Sequence, residues 1–182
     1  IVALSTIGTK ISLKSFYNDS LQGDSILAEI YRQFGVETIY DDKAITLIKA
    51  DSKLFPINLN LINAPDIAQT IAVSCFGLGI ACTLSGLHTL KIKETDRLIA
   101  LKTEIEKLGG QVQISDDTLH LSPSKSIKEN INIATYNDHR MAMAFAPLAL
   151  KVPIVIEDAS VVSKSYPTFW EDLKTIGFNF SE

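Results

Sequence analysis

Cations and carboxylates gather in three short clusters along these 182 residues instead of spreading evenly. Lys91-Ile92-Lys93-Glu94-Thr95-Asp96-Arg97 is the densest, followed by Asn137-Asp138-His139-Arg140 and Ser163-Lys164-Ser165-Tyr166. Asp66 stands apart, ahead of an apolar run. Each of these places is expected to open a helix. Unpaired N–H groups and the positive end of the backbone dipole favour anions there, and Arg or Lys beside them adds charge-assisted hydrogen bonds. Brought together, the clusters would cradle a phosphate and a carboxylate.

Each residue also has a plainer use. Asp66, Asp96 and Asp138 are of the type that caps helices. Lys91 and Lys93 alternate about Ile92, so one of them fits a solvated strand position, and Glu94 near Lys91 and Arg97 fits an exposed ion pair worth under ~1 kcal/mol. His139 taken alone fits a capping or structural histidine, and Lys164 taken alone a solvated side chain. Repetition favours the shared site, because equivalent helix starts in successive segments carry cations together with carboxylates.

The elements that must position these residues emerge when three helix ends are superposed: Ile30-Tyr31-Arg32-Gln33-Phe34-Gly35, Ile105-Glu106-Lys107-Leu108-Gly109 and Leu173-Lys174-Thr175-Ile176-Gly177. Each amphipathic pattern stops at a Gly suited to the helix C-cap. After the first two, alternating strands flank Asp41-Asp42 and Asp116-Asp117, which predicts hairpins over Val36 to Ile48 and Gln111 to Leu121. Upstream, Asp66 to Leu78 and Asp138 to Leu150 read as helices, followed by strands Ala81 to Leu84 and Pro153 to Ile156. The repeating unit is strand, helix, strand, helix, hairpin. Its spacing of about 70 residues is longer than solenoid repeats, so three copies around a common core are expected. The units run over approximately 1-52, 53-125 and 126-182, the first lacking its first helix, with Ile1 to Leu4 as that helix's tail.

Leu98, Leu101, Ile105 and Leu108 share one helix face, as do Leu27, Ile30, Tyr31 and Phe34, and these are core candidates. The last helix is expected to begin with Pro167 in its first turn behind Ser165 as a cap, and to turn Phe169, Leu173 and Ile176 inward.

Composition narrows the function. With 46% hydrophobic residues and a mean hydropathy of +0.18, the chain can close a sizeable core. A net charge of -4 leaves no basic stripe for a nucleic-acid backbone, so any anion site must be local. The most apolar stretch, Ile71 to Leu84, is shorter than a membrane span and broken by Ser74, Gly77 and Gly79, so it reads as buried helix plus strand. Cys75 and Cys82, with neither a CxxC spacing nor a nearby His, read as buried small hydrophobes in a cytoplasmic chain. The start at Ile1, without an initiator Met or a secretory signal, is read as a cut chain.

Two of the clusters extend into longer ordered motifs. Leu87-His88-Thr89-Leu90-Lys91-Ile92-Lys93-Glu94-Thr95-Asp96-Arg97-Leu98 and Asn137-Asp138-His139-Arg140-Met141-Ala142-Met143-Ala144 closely resemble the two carboxy-terminal signatures of the EPSP (5-enolpyruvylshikimate-3-phosphate) synthases. Pro65-Asp66-Ile67-Ala68-Gln69-Thr70 and Lys164-Ser165-Tyr166-Pro167-Thr168-Phe169 match further family blocks in order, so the resemblance covers essentially the whole chain. Position 91, often Arg in the family, is Lys here.

The resemblance implies an α/β (α+β) domain of three βαβαββ units with helices inside and sheets outside, one of two such domains that close on substrate. It implies transfer of the enolpyruvyl group of phosphoenolpyruvate to the 5-hydroxyl of shikimate 3-phosphate, with neither metal nor organic cofactor. By matching position, Asp66 is the base toward the hydroxyl and Glu94 the proton-transfer carboxylate. Arg97, Arg140 and Lys164 hold phosphoenolpyruvate, Lys93, Thr89 and Asp66 contact the shikimate side, and His139 lines the site. The family's amino-terminal motifs have no counterpart here, so an amino-terminal partner domain is expected to complete the site and the chain alone to be inactive. Two other readings stay open: a transferase of the UDP-N-acetylglucosamine type, which shares the architecture, and a noncatalytic anion-binding domain. Asp66 and Glu94 argue against the second, because carboxylates facing an anion weaken a pure phosphate binder.

Overall fold

Alternating residues 10–14, 36–41 and 44–49 fold, in the computed structural model, into an antiparallel sheet of β1 (Lys10–Lys14), β2 (Val36–Asp41) and β3 (Ala44–Lys49), in the order β1-β3-β2. The structure describes residues 1–14, 26–42, 44–93 and 95–181. A second sheet, β4-β5-β7-β6, is built from β4 (Ile57–Asn60), β5 (Cys82–Ser85), β6 (Val112–Ile114) and β7 (Leu119–Leu121). β4 and β5 pair in parallel, as strands joined by a helical crossover must, whereas β7 runs antiparallel to both β5 and β6. A third pair, β8 (Ile131–Ile133) and β9 (Ile154–Ile156), is also parallel.

Five α-helices accompany the strands among the described residues: α1 (Leu27–Arg32), α2 (Ala68–Leu78), α3 (Arg97–Lys107), α4 (His139–Phe145) and α5 (Phe169–Thr175). α2 carries apolar residues on nearly every side, Gln69 and Ser74 being buried among them, and is therefore stable only in the interior. Its residues from Ala68 to Phe76, Thr70 excepted, are buried, and it packs against α3, α4 and β5. Strand residues such as Asn58, Gln113, His120 and Val155 face outward. Leu98, Leu101, Ile105 and Leu108 are fully buried, each worth about 1.5–3 kcal/mol in transfer from water. No helix among the described residues is long and apolar enough to cross a membrane. Cys75 and Cys82 are free and buried, and a hydrogen bond to Cys82 together with burial pushes the Cys75 thiol far up.

Several expectations need correction. Asp66 does not cap a helix: it lies inside a 3-10 turn, Pro65–Ile67, and α2 has no side-chain cap. The helix expected from Asp138 to Leu150 is α only to Phe145 and continues as a 3-10 turn, Ala146–Leu150, because Pro147 has no N–H to give the α ladder. α5 begins at Phe169 with Thr168 at its N-cap, so neither Pro167 nor Ser165 opens it. Phe169 and Leu173 are buried, but Ile176 is exposed, since α5 ends at Thr175 before the stripe makes another turn. Lys91 belongs to a 3-10 turn, His88–Ile92, and not to a strand. β1, unforeseen, is visible in retrospect as the alternation Lys10-Ile11-Ser12-Leu13-Lys14.

Candidate active site

The first turn of α3 fixes the centre of the site. Asp96 caps the helix, its Oδ1 accepting from the N–H groups of Leu98 and Ile99 at 3.1 Å each. Arg97 thus becomes the first helical residue, with its side chain turned inward and only 2% exposed. Its Nε donates to Asp138 Oδ2 at 2.6 Å, its Nη2 to Asp138 Oδ1 at 3.4 Å, and its Nη1 to Asp66 Oδ1 at 2.8 Å. Asp138, completely buried, also caps α4 by accepting from the Arg140 N–H at 2.8 Å.

Asp66 is the meeting point of the cations. Besides Arg97, Lys93 Nζ lies 3.2 Å from its Oδ1, Arg140 Nη2 lies 3.8 Å from its Oδ2, and Arg140 Nη1 donates to its backbone carbonyl at 3.0 Å. Burial pushes the Asp66 carboxyl up, but the hydrogen bond from Lys93 and the charges of Arg140, Lys93 and Arg97 outweigh it and hold the group below the usual carboxylate range. Asp66 is therefore ionised at neutral pH.

Lys164 reaches the same region from the 3-10 turn Ala159–Lys164, donating to the backbone carbonyl of Asn137 at 3.0 Å and to its Oδ1 at 2.7 Å. His139 opens α4, half-buried beside Asp138. Thr89 lies in the turn before Lys93, and its hydroxyl is buried with no hydrogen-bond partner among the described residues. Glu94 lies outside the described residues. Lys91 turns elsewhere, pairing at 2.7 Å with the fully exposed Asp116. Lys93, Arg97 and Arg140 thus gather around two carboxylates, Asp66 and Asp138, with Lys164 bound to the neighbouring Asn137, and among the described residues of the cluster this is an excess of positive charge suited to an anionic ligand.

Two roles were not anticipated. Asp138 was expected as a helix cap, yet it also grips Arg97 across 41 positions of chain, a contact no local pattern announces. Glu104, also completely buried, accepts from Tyr136 and Lys107 and from the Ala134 N–H. Its signal was available: it falls between Leu101 and Ile105 on the apolar stripe, where a carboxylate requires a buried partner. Neither of two surface concavities, one lined by Leu4, Leu150 and Phe178 among others and one beside Gly79 and Ser124, includes any of the cluster residues.

Comparison with known proteins adds a sequence and a structural likeness. Residues 1–173 match the family pattern of EPSP synthase (3-phosphoshikimate 1-carboxyvinyltransferase). A 3-phosphoshikimate 1-carboxyvinyltransferase of Bacteroides fragilis is 42% identical over 171 residues, covering 92% of this chain and 42% of the relative. One from Histophilus somni is 32% identical over 180 residues, covering 98% of this chain and 41% of the relative. The chain thus spans about two fifths of the length of the curated relatives it matches. Among solved structures, an EPSP synthase from Acinetobacter baumannii superposes with a TM-score of 0.80 at 22% identity, over 96% of this chain and 43% of that one. The enolpyruvyl transferase NikO from Streptomyces tendae superposes with a TM-score of 0.70 at 16% identity, over 98% of this chain and 40% of that one. The shared fold is mixed α/β.

Proposed function

Because the chain belongs to the EPSP synthase family, we propose that it is the carboxy-terminal half of an enzyme that transfers the enolpyruvyl group of phosphoenolpyruvate to the 5-hydroxyl of shikimate 3-phosphate. The observation that carries this reading is Asp66 held among Lys93, Arg97 and Arg140, from three segments far apart in sequence. A phosphate binder has no use for a carboxylate at the centre of its cations; a site that must also accept a proton has.

In the proposed reaction the 5-hydroxyl oxygen bonds to the central carbon of phosphoenolpyruvate while its proton passes to Asp66. Glu94 delivers a proton to the methylene carbon. Loss of a proton from the resulting methyl group and departure of phosphate then restore the double bond. Arg97, Arg140 and Lys164 hold the carboxylate and phosphate of phosphoenolpyruvate, their charges balancing what develops in the transition state. Lys93 and Thr89 face the shikimate side, and His139 lines the space between. The Thr89 hydroxyl, buried and without a hydrogen-bond partner among the described residues, supports a polar contact there, since such a group is stabilised by acquiring a partner.

The domain is read as three βαβαββ units, over approximately 1-52, 53-125 and 126-182. The matching strand orders β1-β3-β2 and β5-β7-β6 support this. An amino-terminal domain of the same enzyme is proposed to close over the cluster and complete the site, in the cytoplasm. The full-length parent, assayed for phosphate release with phosphoenolpyruvate and either shikimate 3-phosphate or UDP-N-acetylglucosamine, is expected to turn over only the first acceptor. Turnover of the second alone, or unchanged turnover in Asp66→Asn and Glu94→Gln, would overturn the assignment.

A further inference from the structure

The segment 134–138 enters α4 through two successive left-handed residues, Tyr136 (φ 53) and Asn137 (φ 57). A Cβ disfavours that conformation, so contacts from outside the segment must hold it. They come from two sides. From the turn before α5, Lys164 grips the carbonyl and side chain of Asn137. From α3, the completely buried Glu104 accepts the Tyr136 hydroxyl at 2.6 Å and the Ala134 N–H at 3.2 Å. Two turns earlier on the same face of α3, Arg97 holds Asp138. One helix therefore fixes the segment at both ends.

We propose that Glu104 and Tyr136 form a positioning pair that sets Asp138, His139 and Arg140 against Arg97 and so fixes the spacing of the cations that receive the anionic ligand. The inference rests on the reading of the site as the phosphoenolpyruvate grip. Neither residue touches the reacting atoms. The pair holds the segment by a charge-assisted hydrogen bond whose acceptor carboxylate is completely buried, and such bonds are short and strong. Burial and the bond to Glu104 push Tyr136 up to about 12, so it stays a proton donor throughout the working range. A purely structural carboxylate would explain Lys107, its bidentate partner at 2.8 and 2.9 Å, which is partly exposed and lies outside the segment. It would not explain why the same carboxylate also ties a strained segment two residues before Asp138.

The test uses the full-length enzyme with Tyr136→Phe, Glu104→Gln and, as the control on the same carboxylate, Lys107→Met. Tyr136→Phe and Glu104→Gln are expected to raise KM for phosphoenolpyruvate about fivefold or more while leaving KM for shikimate 3-phosphate within about twofold. Hydrogen exchange at the Arg140 amide, which Asp138 caps, should quicken about tenfold in both. Lys107→Met should change neither readout even where it lowers Tm. Equal effects of all three variants, or none of any, would overturn the proposal. If Glu104→Gln does not fold, Tyr136→Phe decides. A wild-type enzyme without enolpyruvyl transfer would defeat the functional reading, and the Arg140 amide would still decide the positioning claim.

Discussion

Asp66 sits in the field of three cations, and that field works against its proposed task. A carboxyl held below the usual range is a weak proton acceptor. Anionic substrates arriving at Lys93, Arg97 and Arg140 would offset part of that charge and raise Asp66 toward the ordinary range when a base is needed. Asp66→Asn in the full-length enzyme is therefore expected to lower kcat by about 10²-fold or more. KM for phosphoenolpyruvate should hold or fall, because the cations lose an internal competitor. The same residue gives a stability signature. A depressed folded-state pKa contributes stability that is present above the unfolded value of about 3.9 and is lost as pH falls through the folded value. The Tm of the wild type should exceed that of Asp66→Asn near neutral pH, modestly because a third of the carboxylate is exposed, and the gap should close below about pH 4. Arg97 is a poorer probe of ligand grip than Arg140. Its removal would leave Asp138 buried without its charge partner, a loss of about 3–5 kcal/mol to the fold itself.

At the scale of elements, the capped start of α3 links stability to the site, since the residue after the cap is Arg97. Asp96→Ala is expected to cost about 1 kcal/mol, read by chemical denaturation. A stronger test of the frame is Gly86, which leaves β5 at φ 77 with the backbone nitrogen of Ile62 only 2.6 Å from where a Cβ would stand. Gly86→Ala in the same denaturation series should cost about 2 kcal/mol or more, because neither the left-handed backbone nor the Ile62 main chain can yield easily. The caps Asp96 and Asp138 were legible in the sequence because capping is local, a side chain reaching an N–H two or three positions on. The hairpins of β2 with β3 and β6 with β7 were legible for the same reason. The plainer use of Asp66, as a cap, fails because its partner Arg97 lies 31 residues away on α3, and local propensity carries no information about that distance. The apolar pattern from Asp138 to Leu150 runs on past Pro147, where the α ladder stops, so periodicity alone gives α4 too great a length. The stripe of α5 was extrapolated to Ile176, past the end of a helix of two turns. The site residues were found as clusters; how they pair was decided by packing between helices.

For the whole molecule, the chain spans about two fifths of the relatives it matches, and the cation cluster includes no residue of either surface concavity. Under the proposed function, the chain is one half of a site that a second domain completes by excluding water and aligning two substrates. Proximity and orientation supply much of an enzyme's rate, so half a site is expected to bind weakly and turn over negligibly. The direct test is phosphate release from phosphoenolpyruvate plus shikimate 3-phosphate, measured side by side for the full-length parent and for the purified 182-residue chain. The account predicts release by the parent and none above background by the chain. Release by the chain alone, or none by the parent, would contradict it.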